Sequence, residues 1–268
     1  MWATVVALAL GAAPVRHLLF GGGEHWVLTD ADGAVVKKLG KPLGELLMQD
    51  AVVSADGKLV VFTAHDKAVN NVLLYAWNLE SGEVRRIGAK EGFHGGPAFS
   101  GDEKWVTFAH NPTGYTAKGA QVHRVRPTGE EMTLLGKDDG CHLWSASARA
   151  EGEWYVTHAE GKGTAGIERW RNGKPEQLTP ATMVDGEPTL SRDGKRLLFA
   201  RIAGDGVELL ELPLAAGKPR ALWKGERHGI TFRPRFAKDE KAVVFQDGSG
   251  VYRLQQGKAE LLFWVNQP

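Results

Sequence analysis

Apolar residues in this 268-residue chain come in short runs separated at regular intervals by Gly, Asp, Ser and Asn. Leu59-Val60-Val61-Phe62, Leu197-Leu198-Phe199 and Val243-Val244-Phe245 are examples. Runs of this length, rich in β-branched and aromatic residues and bounded by turn formers, predict strands. No stretch carries a sustained helical period of three to four residues, so the pattern predicts an all-β chain.

The runs belong to a repeat. Ser54-Ala-Asp56-Gly57-Lys58, followed by the strand ending at Phe62, returns as Ser100-Gly-Asp102-Glu-Lys104 ending at Phe108. It returns again as Ser191-Arg-Asp193-Gly194-Lys195 ending at Phe199, with degenerate copies at Ala148 to Val156 and Ala237 to Phe245. The anchors 54, 100, 148, 191 and 237 are 46, 48, 43 and 46 residues apart, a period that signals a repeat architecture. Each copy reads as strand, Asp-Gly-type turn, strand, third strand, second turn ending in Gly, fourth strand. The second turns are Asp32-Gly33, Ser81-Gly82, Thr128-Gly129, Asn172-Gly173, Ala216-Gly217 and Gln256-Gly257, where Gly supplies the positive φ such turns need. Six such turns predict one domain over residues 1–268: a six-bladed β-propeller of four-stranded antiparallel blades, the first with a worn front half. Phe62, Phe108, Phe199 and Phe245 share one strand position and are expected between adjacent sheets.

Gly95-Gly96-Pro97-Ala98-Phe99-Ser100-Gly-Asp102-Glu-Lys104 and Glu187-Pro188-Thr189-Leu190-Ser191-Arg-Asp193-Gly194-Lys195 resemble the WD40-like repeat of TolB-type propellers. The resemblance covers about residues 45 to 264 and, more weakly, the first unit. The Trp and second Pro of that repeat are missing; Phe99, Leu190 and Phe236 stand where it has Trp. The chain has no room for the separate N-terminal domain of TolB itself, so the resemblance implies a bare propeller. It fixes no activity.

Composition is that of a chain able to bury a core, with 43% apolar and 24% charged residues. Lys and Arg number 33 against 32 Asp and Glu, and no basic stripe interleaved with aromatics is visible, which argues against a nucleic-acid partner. The single cysteine, Cys141, gives neither an internal disulfide nor a thiolate cluster. The apolar start, Trp2 to Pro14, reads either as the core of a secretory signal or as the first strand of the first blade, with Val6 to Gly11 aligning on Asp185 to Leu190. It is too short to span a membrane. The signal reading gives a periplasmic or secreted location; the strand reading leaves the cytoplasm open. A monomer is expected.

Catalytic motifs are missing. Gly161-Lys-Gly163-Thr-Ala-Gly166 matches a dinucleotide fingerprint by spacing, but no helix follows it to receive a pyrophosphate, so it reads as a hairpin loop. There is no Gly-x-Ser-x-Gly elbow, no His-Glu-x-x-His and no phosphate-binding loop. One constellation remains. Aligning the repeats on Pro97 puts His94, His142, Asp185 and Thr231 in one column, and His110, His158, Arg201 and Asp247 in another sixteen residues on. In related propellers both columns open onto one face at the mouth of the central channel, with His228 beside them. His94, His110, His142, His158, Asp185, Arg201, His228 and Asp247 are therefore the candidate ligand-binding residues. Imidazole and carboxylate donors suit Zn or Mn, and His94, His142 and Asp185 are the candidate metal set, although no cofactor is expected. A central His cluster holds metal in oligogalacturonate lyases, which carry related repeats. His17, His25 and His123 fall in or beside predicted strands and read as structural. The reading is a non-catalytic TolB-like propeller that binds a protein, peptide or glycan on this funnel face. Its alternatives are a metal-dependent lyase or hydrolase using the His cluster, and a purely structural propeller within a larger assembly.

Overall fold

A computed structural model describes residues 17–22, 25–65, 71–114, 119–137, 143–148, 153–159, 163–215, 217–229 and 232–265. Every regular element among them is a strand, and the strands follow one another as antiparallel meanders. The first holds β1 (His17–Gly22), β2 (His25–Asp30) and β3 (Val35–Leu39). The second holds β4 (Leu47–Val53), β5 (Leu59–His65), β6 (Leu73–Asn78) and β7 (Val84–Arg86). Next come β8 (Phe93–Phe99), β9 (Val106–Asn111), β10 (Gln121–Val125) and β11 (Thr133–Lys137), then β12 (Leu143–Ala148), β13 (Glu153–Ala159), β14 (Ala165–Arg171) and β15 (Lys174–Gln177). β16 (Val184–Leu190), β17 (Arg196–Ala203), β18 (Gly206–Pro213) and β19 (Arg220–Glu226) precede β20 (Arg235–Phe236), β21 (Val243–Asp247), β22 (Gly250–Gln255) and β23 (Lys258–Trp264).

The described residues form five hydrogen-bonded sheets: one of three strands, three of four, and one of eight. The eight-stranded sheet is two meanders, β12–β15 and β16–β19, fused by a single parallel pair, Ala165 with Val184. The expected first strand of the first unit, at Val6 to Gly11, lies outside the described residues.

The repeated turn is a closed hydrogen-bond circuit, and this explains its sequence. Ser54 Oγ donates to Asp56 Oδ1 at 2.6 Å, Lys58 N donates to the same oxygen at 3.0 Å, and Leu59 N donates to Ser54 Oγ at 3.0 Å. The same three bonds recur at Ser100–Asp102 and Ser191–Asp193. Gly57 and Gly194 hold φ of 75° and 65°, where a Cβ is disfavoured. The six second-turn glycines, Gly33, Gly82, Gly129, Gly173, Gly217 and Gly257, all have φ between 75° and 93°, as the turn chemistry predicts.

In the second to sixth meanders the second strand is mainly apolar on both faces, so its apolar residues come in near-continuous runs and not in strict alternation. In β5, Val60, Phe62 and Ala64 pack toward the first meander while Val61 packs toward the third. In β17, Leu197 and Phe199 face the fourth meander, and Leu198 and Ala200 the sixth. Six apolar clusters among the described residues join the meanders in cyclic order, the last joining Ala237, Val244 and Val251 to Leu18, Phe20 and Val27. Phe62, Phe108, Phe199 and Phe245 each occupy a seam with the preceding meander and are fully buried.

Candidate functional site

The first strands β4, β8, β12 and β16 each carry a register shift, between Met48 and Ala51, Gly95 and Ala98, Leu143 and Ala146, and Gly186 and Thr189. Two residues at each bulge leave the ladder and re-aim the strand. Just before the bulge, the two aligned columns meet as cross-strand partners: His94 pairs with His110, and Asp185 with Arg201. In the fourth meander Leu143 pairs with His158; His142 lies outside the described residues.

His94, His110 and His123 cluster with Phe108 in a histidine stack in which the imidazoles themselves meet tilted, at 37°, and edge-on, at 80°. The ring centroids of His94 and His110 are 4.7 Å apart, those of His110 and His123 5.4 Å, and Phe108 stacks on both His94 and His123. His94 is wholly buried and the other two nearly so. Each ring has one partner: His94 Nδ1 lies 2.7 Å from Val72 O, His110 Nε2 3.1 Å from Glu91 O, and His123 Nε2 2.9 Å from Gln121 Oε1. Burial pushes His94 and His123 down to about 4, with the neighbouring His110 adding to the effect. His110 is lowered by the same burial. The stack is therefore neutral at pH 7.

The other candidates close in pairs. Arg201 Nε and Nη2 donate to the two oxygens of Asp185 at 2.6 and 2.8 Å, a bidentate pair with Asp185 fully buried. That bond to Asp185 raises Arg201 above its ordinary value. His158 Nδ1 sits 3.4 Å from Glu168 Oε1. Asp247, buried, accepts both the backbone N–H of His228 at 2.9 Å and its ring Nδ1–H at 2.8 Å. The His228 ring is 64% exposed, and its bond to Asp247 raises its pKa. This grip fixes the tautomer and leaves Nε2 toward solvent.

The expected metal set does not assemble from the residues in view. A Cβ placed on Gly88 would lie 2.8 Å from His94 Nε2, so backbone closes over the nitrogen that Val72 leaves free. Both Asp185 oxygens belong to Arg201. Among the described residues no group of three or more His, Cys, Asp or Glu side chains is arranged to hold a metal ion.

Sequence reasoning missed a second polar group. The bulge residues Asp50 and Glu187 reach to the following meander. Asp50 Oδ2 accepts Gly96 N at 3.1 Å, and Glu187 Oε2 accepts Phe232 N at 2.9 Å and also Arg233 N. Arg233 donates to Gly21 O and, at 2.6 Å, to Gln49 O, and lies 4.5 Å over the ring of Trp26. Arg235 bonds Thr189 Oγ1 at 2.8 Å. Burial lowers Arg233, and lowers Arg235 to about 10; it raises Glu187 against the pull of Arg233. Asp50, Gly96, Glu187 and Arg233 stand at one repeat position, directly before Ala51, Pro97, Pro188 and Pro234, and that column of charge in otherwise apolar strands was the available signal. Gly96, Glu187 and Arg233 share positive φ there, 53°, 57° and 41°. Side chains from four meanders thus meet on the inner side of the ring.

TolB from Acinetobacter baumannii matches this structure with a TM-score of 0.68 at 18% identity, covering 94% of this chain and 65% of that one. The fold is a TolB-like β-propeller. A chain of the nidogen/laminin complex matches the propeller with a TM-score of 0.70 at 15% identity, covering 91% of each chain. An oligogalacturonate lyase in complex with manganese matches at 0.58 and 13%, covering 91% of this chain and 73% of the lyase. No family model and no curated sequence matches the chain. At such identities the likeness concerns fold alone, and this fold serves binding and catalysis alike. Among the described residues no helix is long and apolar enough to cross a membrane.

Proposed function

We infer that the chain is a six-bladed propeller and a non-catalytic binding module, taking a protein, peptide or glycan on the face where β9, β13, β17 and β21 end. The blade count counts the fused sheet as two meanders, and the cyclic order of the six apolar clusters supports it. The observation that carries the binding reading is the closure of the candidate residues into separate pairs. Asp185 is spent on Arg201, Asp247 on His228, and the three stacked imidazoles are turned into the protein. A reaction centre needs groups converging on one substrate atom with a free base or nucleophile among them. A recognition face needs fixed, well-oriented groups spread over several blades, and Arg201 and His228 are held in that way by buried carboxylates. The apolar N-terminal run is in keeping with action outside the cytoplasm, which the mass of the mature N-terminus checks.

The test uses peptide and glycan arrays with the parent, Arg201→Ala, His228→Ala and the double variant, each first checked for fold by circular dichroism. A ligand retained by the parent and weakened about tenfold or more in the double variant supports the reading, since losing hydrogen bonds to charged groups costs roughly 1.5–3 kcal/mol. Equal binding by all four proteins rejects this face. Calorimetric titration with Mn2+ and Zn2+ runs in parallel; stoichiometric uptake abolished by His94→Ala with His142→Ala would turn the reading to the metal-dependent lyase or hydrolase.

A further inference from the structure

Charge is divided across the face opposite the candidate site. The Ser-x-Asp turn between the first two strands of a blade and the Gly turn before its fourth both fall on that face, because neighbouring strands run in opposite directions. The two kinds of turn touch: Leu79 N donates to Lys58 O, and Leu214 N to Lys195 O. In the first three blades the described turns are 30–34, 54–58, 78–83, 100–104 and 126–131, with nine carboxylates against three cations. In the last three they are 171–174, 191–195, 213–218, 237–241 and 255–258, with eight cations against three carboxylates. The residue directly after the turn glycine shows the change most plainly. It is Glu83 and Glu130 in blades two and three, and Lys174, Lys218 and Lys258 in blades four to six, all exposed.

Nine against three leaves six negative charges on one half of the face, and eight against three leaves five positive on the other, in a chain whose net charge is only +1. Neighbouring groups do not erase the division: Arg85 answers Glu83 at 3.3 Å and Glu153 answers Arg171 at 2.8 Å, one charge on each side. By sequence, the first turns outside the described residues add only Arg16 to the first half and the cancelling pair Arg149 and Glu151 to the second. The fold does not require this order. The turn circuits need Ser, Asp and Gly, and the position after the glycine is open to either sign. Like charges gathered on one half repel each other in the lone molecule, so the arrangement points to a partner that meets both halves.

We propose that this face is an interface between two copies of the chain, docked turns against turns about a two-fold axis lying in the face. The geometry rests on the six-blade ring inferred above. An axis running from the gap between blades three and four to the gap between blades six and one lays blade three over four, two over five and one over six. Glu130 then meets the Lys174 side, Glu83 the Lys218 side, and Asp30 and Asp32 the Lys258 side. The same pairing brings exposed Val35 and Val36, just after the turn of blade one, over blade six with exposed Leu261. A half-turn thus makes the face complementary to itself. A partner of one sign, such as a nucleic acid or an anionic membrane, would be repelled by half of it. The dimer leaves two candidate binding faces pointing away from each other, so a ligand with several sites would be held at two points; that consequence depends on the binding reading, the dimer does not.

Sedimentation velocity on the full chain tests it, at about 50 mM and about 500 mM NaCl, where screening differs strongly. Twice the mass of the chain is expected at low salt and a single copy at high salt, the state in which the radius of gyration is that of one ring. A chain that stays single at low salt up to about 300 µM overturns the proposal. Glu83→Lys with Glu130→Lys, and separately Lys174→Glu with Lys218→Glu, set like charges against like, and each pair should weaken the dimer about a hundredfold or more. Mixed in equal amounts, the two variants should form a mixed dimer, because every opposed pair is again of opposite sign. All four positions are exposed, and circular dichroism checks the fold. If one pair folds poorly, the other alone still reads the loss. A parent dimer unmoved by either reversal, or a mixture of two folded variants that stays monomeric, overturns this face as the interface. The ligand test on Arg201 and His228 concerns the opposite face, so the two readings fail separately.

Discussion

Glu103 and Glu240 show how a departure from the repeat can carry structure. Both stand at the turn position that Gly57 and Gly194 hold elsewhere, and both keep the left-handed backbone, at φ 56°. The strain such a residue stores is offset by its side chain. Glu103 Oε1 accepts Ala55 N at 2.6 Å from the preceding blade's turn. Glu240 accepts Arg192 N and, at 2.7 Å, Arg196 Nη2. Glu103→Ala should lose the bond and keep the strain, costing about 1–2 kcal/mol, while Glu103→Gly should lose the bond and shed the strain, coming out about 1 kcal/mol more stable than the alanine variant. Chemical denaturation of the pair checks the order; an alanine variant equal to or better than glycine would remove the staple. Arg233 is the larger case. Arg233→Ala leaves Glu187 without its main cation and Gly21 O and Gln49 O without a donor, an expected loss of ~3–5 kcal/mol, with Arg233→Lys recovering only part because an ammonium cannot span both carbonyls in one plane.

At the scale of elements, the second strand of each blade is the unit that packs. Phe199 fills the seam against Tyr155 and Ile167 of the preceding blade and is fully buried, so Phe199→Ala should cost ~3–5 kcal/mol in urea denaturation. The Ser-x-Asp turn that launches each second strand adds its own pH dependence. Ser54 and Ser191 hold Asp56 and Asp193 below the ordinary carboxylate value of 3.8. A lowered carboxyl stabilises the fold above 3.8 and loses that contribution as pH falls below it. Acid should therefore act in two stages, first at the histidine stack between pH 6.5 and about 4, then at the turns. Asp193→Asn should blunt the second stage and leave the first unchanged.

The whole molecule depends on closing its ring. The last seam joins β21 and β22 to β1 and β2, fastened by Gln246 Oε1 on Gly21 N at 2.8 Å and by Arg253 on Asp32 O at 3.2 Å. The closed ring should scatter X-rays as a compact body with a radius of gyration of about 18 Å. Removing residues 250–265 takes away β22 and β23 and uncovers Leu18, Phe20 and Val27, so the truncated chain should expand or aggregate, visible as a raised radius. A truncated chain as compact as the parent would mean that closure does not hold the ring together.

The repeat, the turns and the buried phenylalanines were legible in the chain because each is a local rule: a Ser–Asp circuit closes within five residues, a Gly turn within four, and a strand between two sheets must be apolar at its centre. The pairings His94–His110 and Asp185–Arg201 were legible as columns because they lie across one hairpin. Fusion of two meanders through Ala165 and Val184 was not, since one parallel pair leaves no sequence pattern. His123 joins the stack two strands from His94, and Arg233 reaches Gly21 across 212 residues. Such contacts depend on the angle at which one sheet meets the next. The sequence by itself determined the strands, their turns and which strand is buried on both faces. Only the tertiary structure decided which polar groups satisfy one another at the inner side of the ring, because there the partners come from different blades and the repeat treats all blades alike.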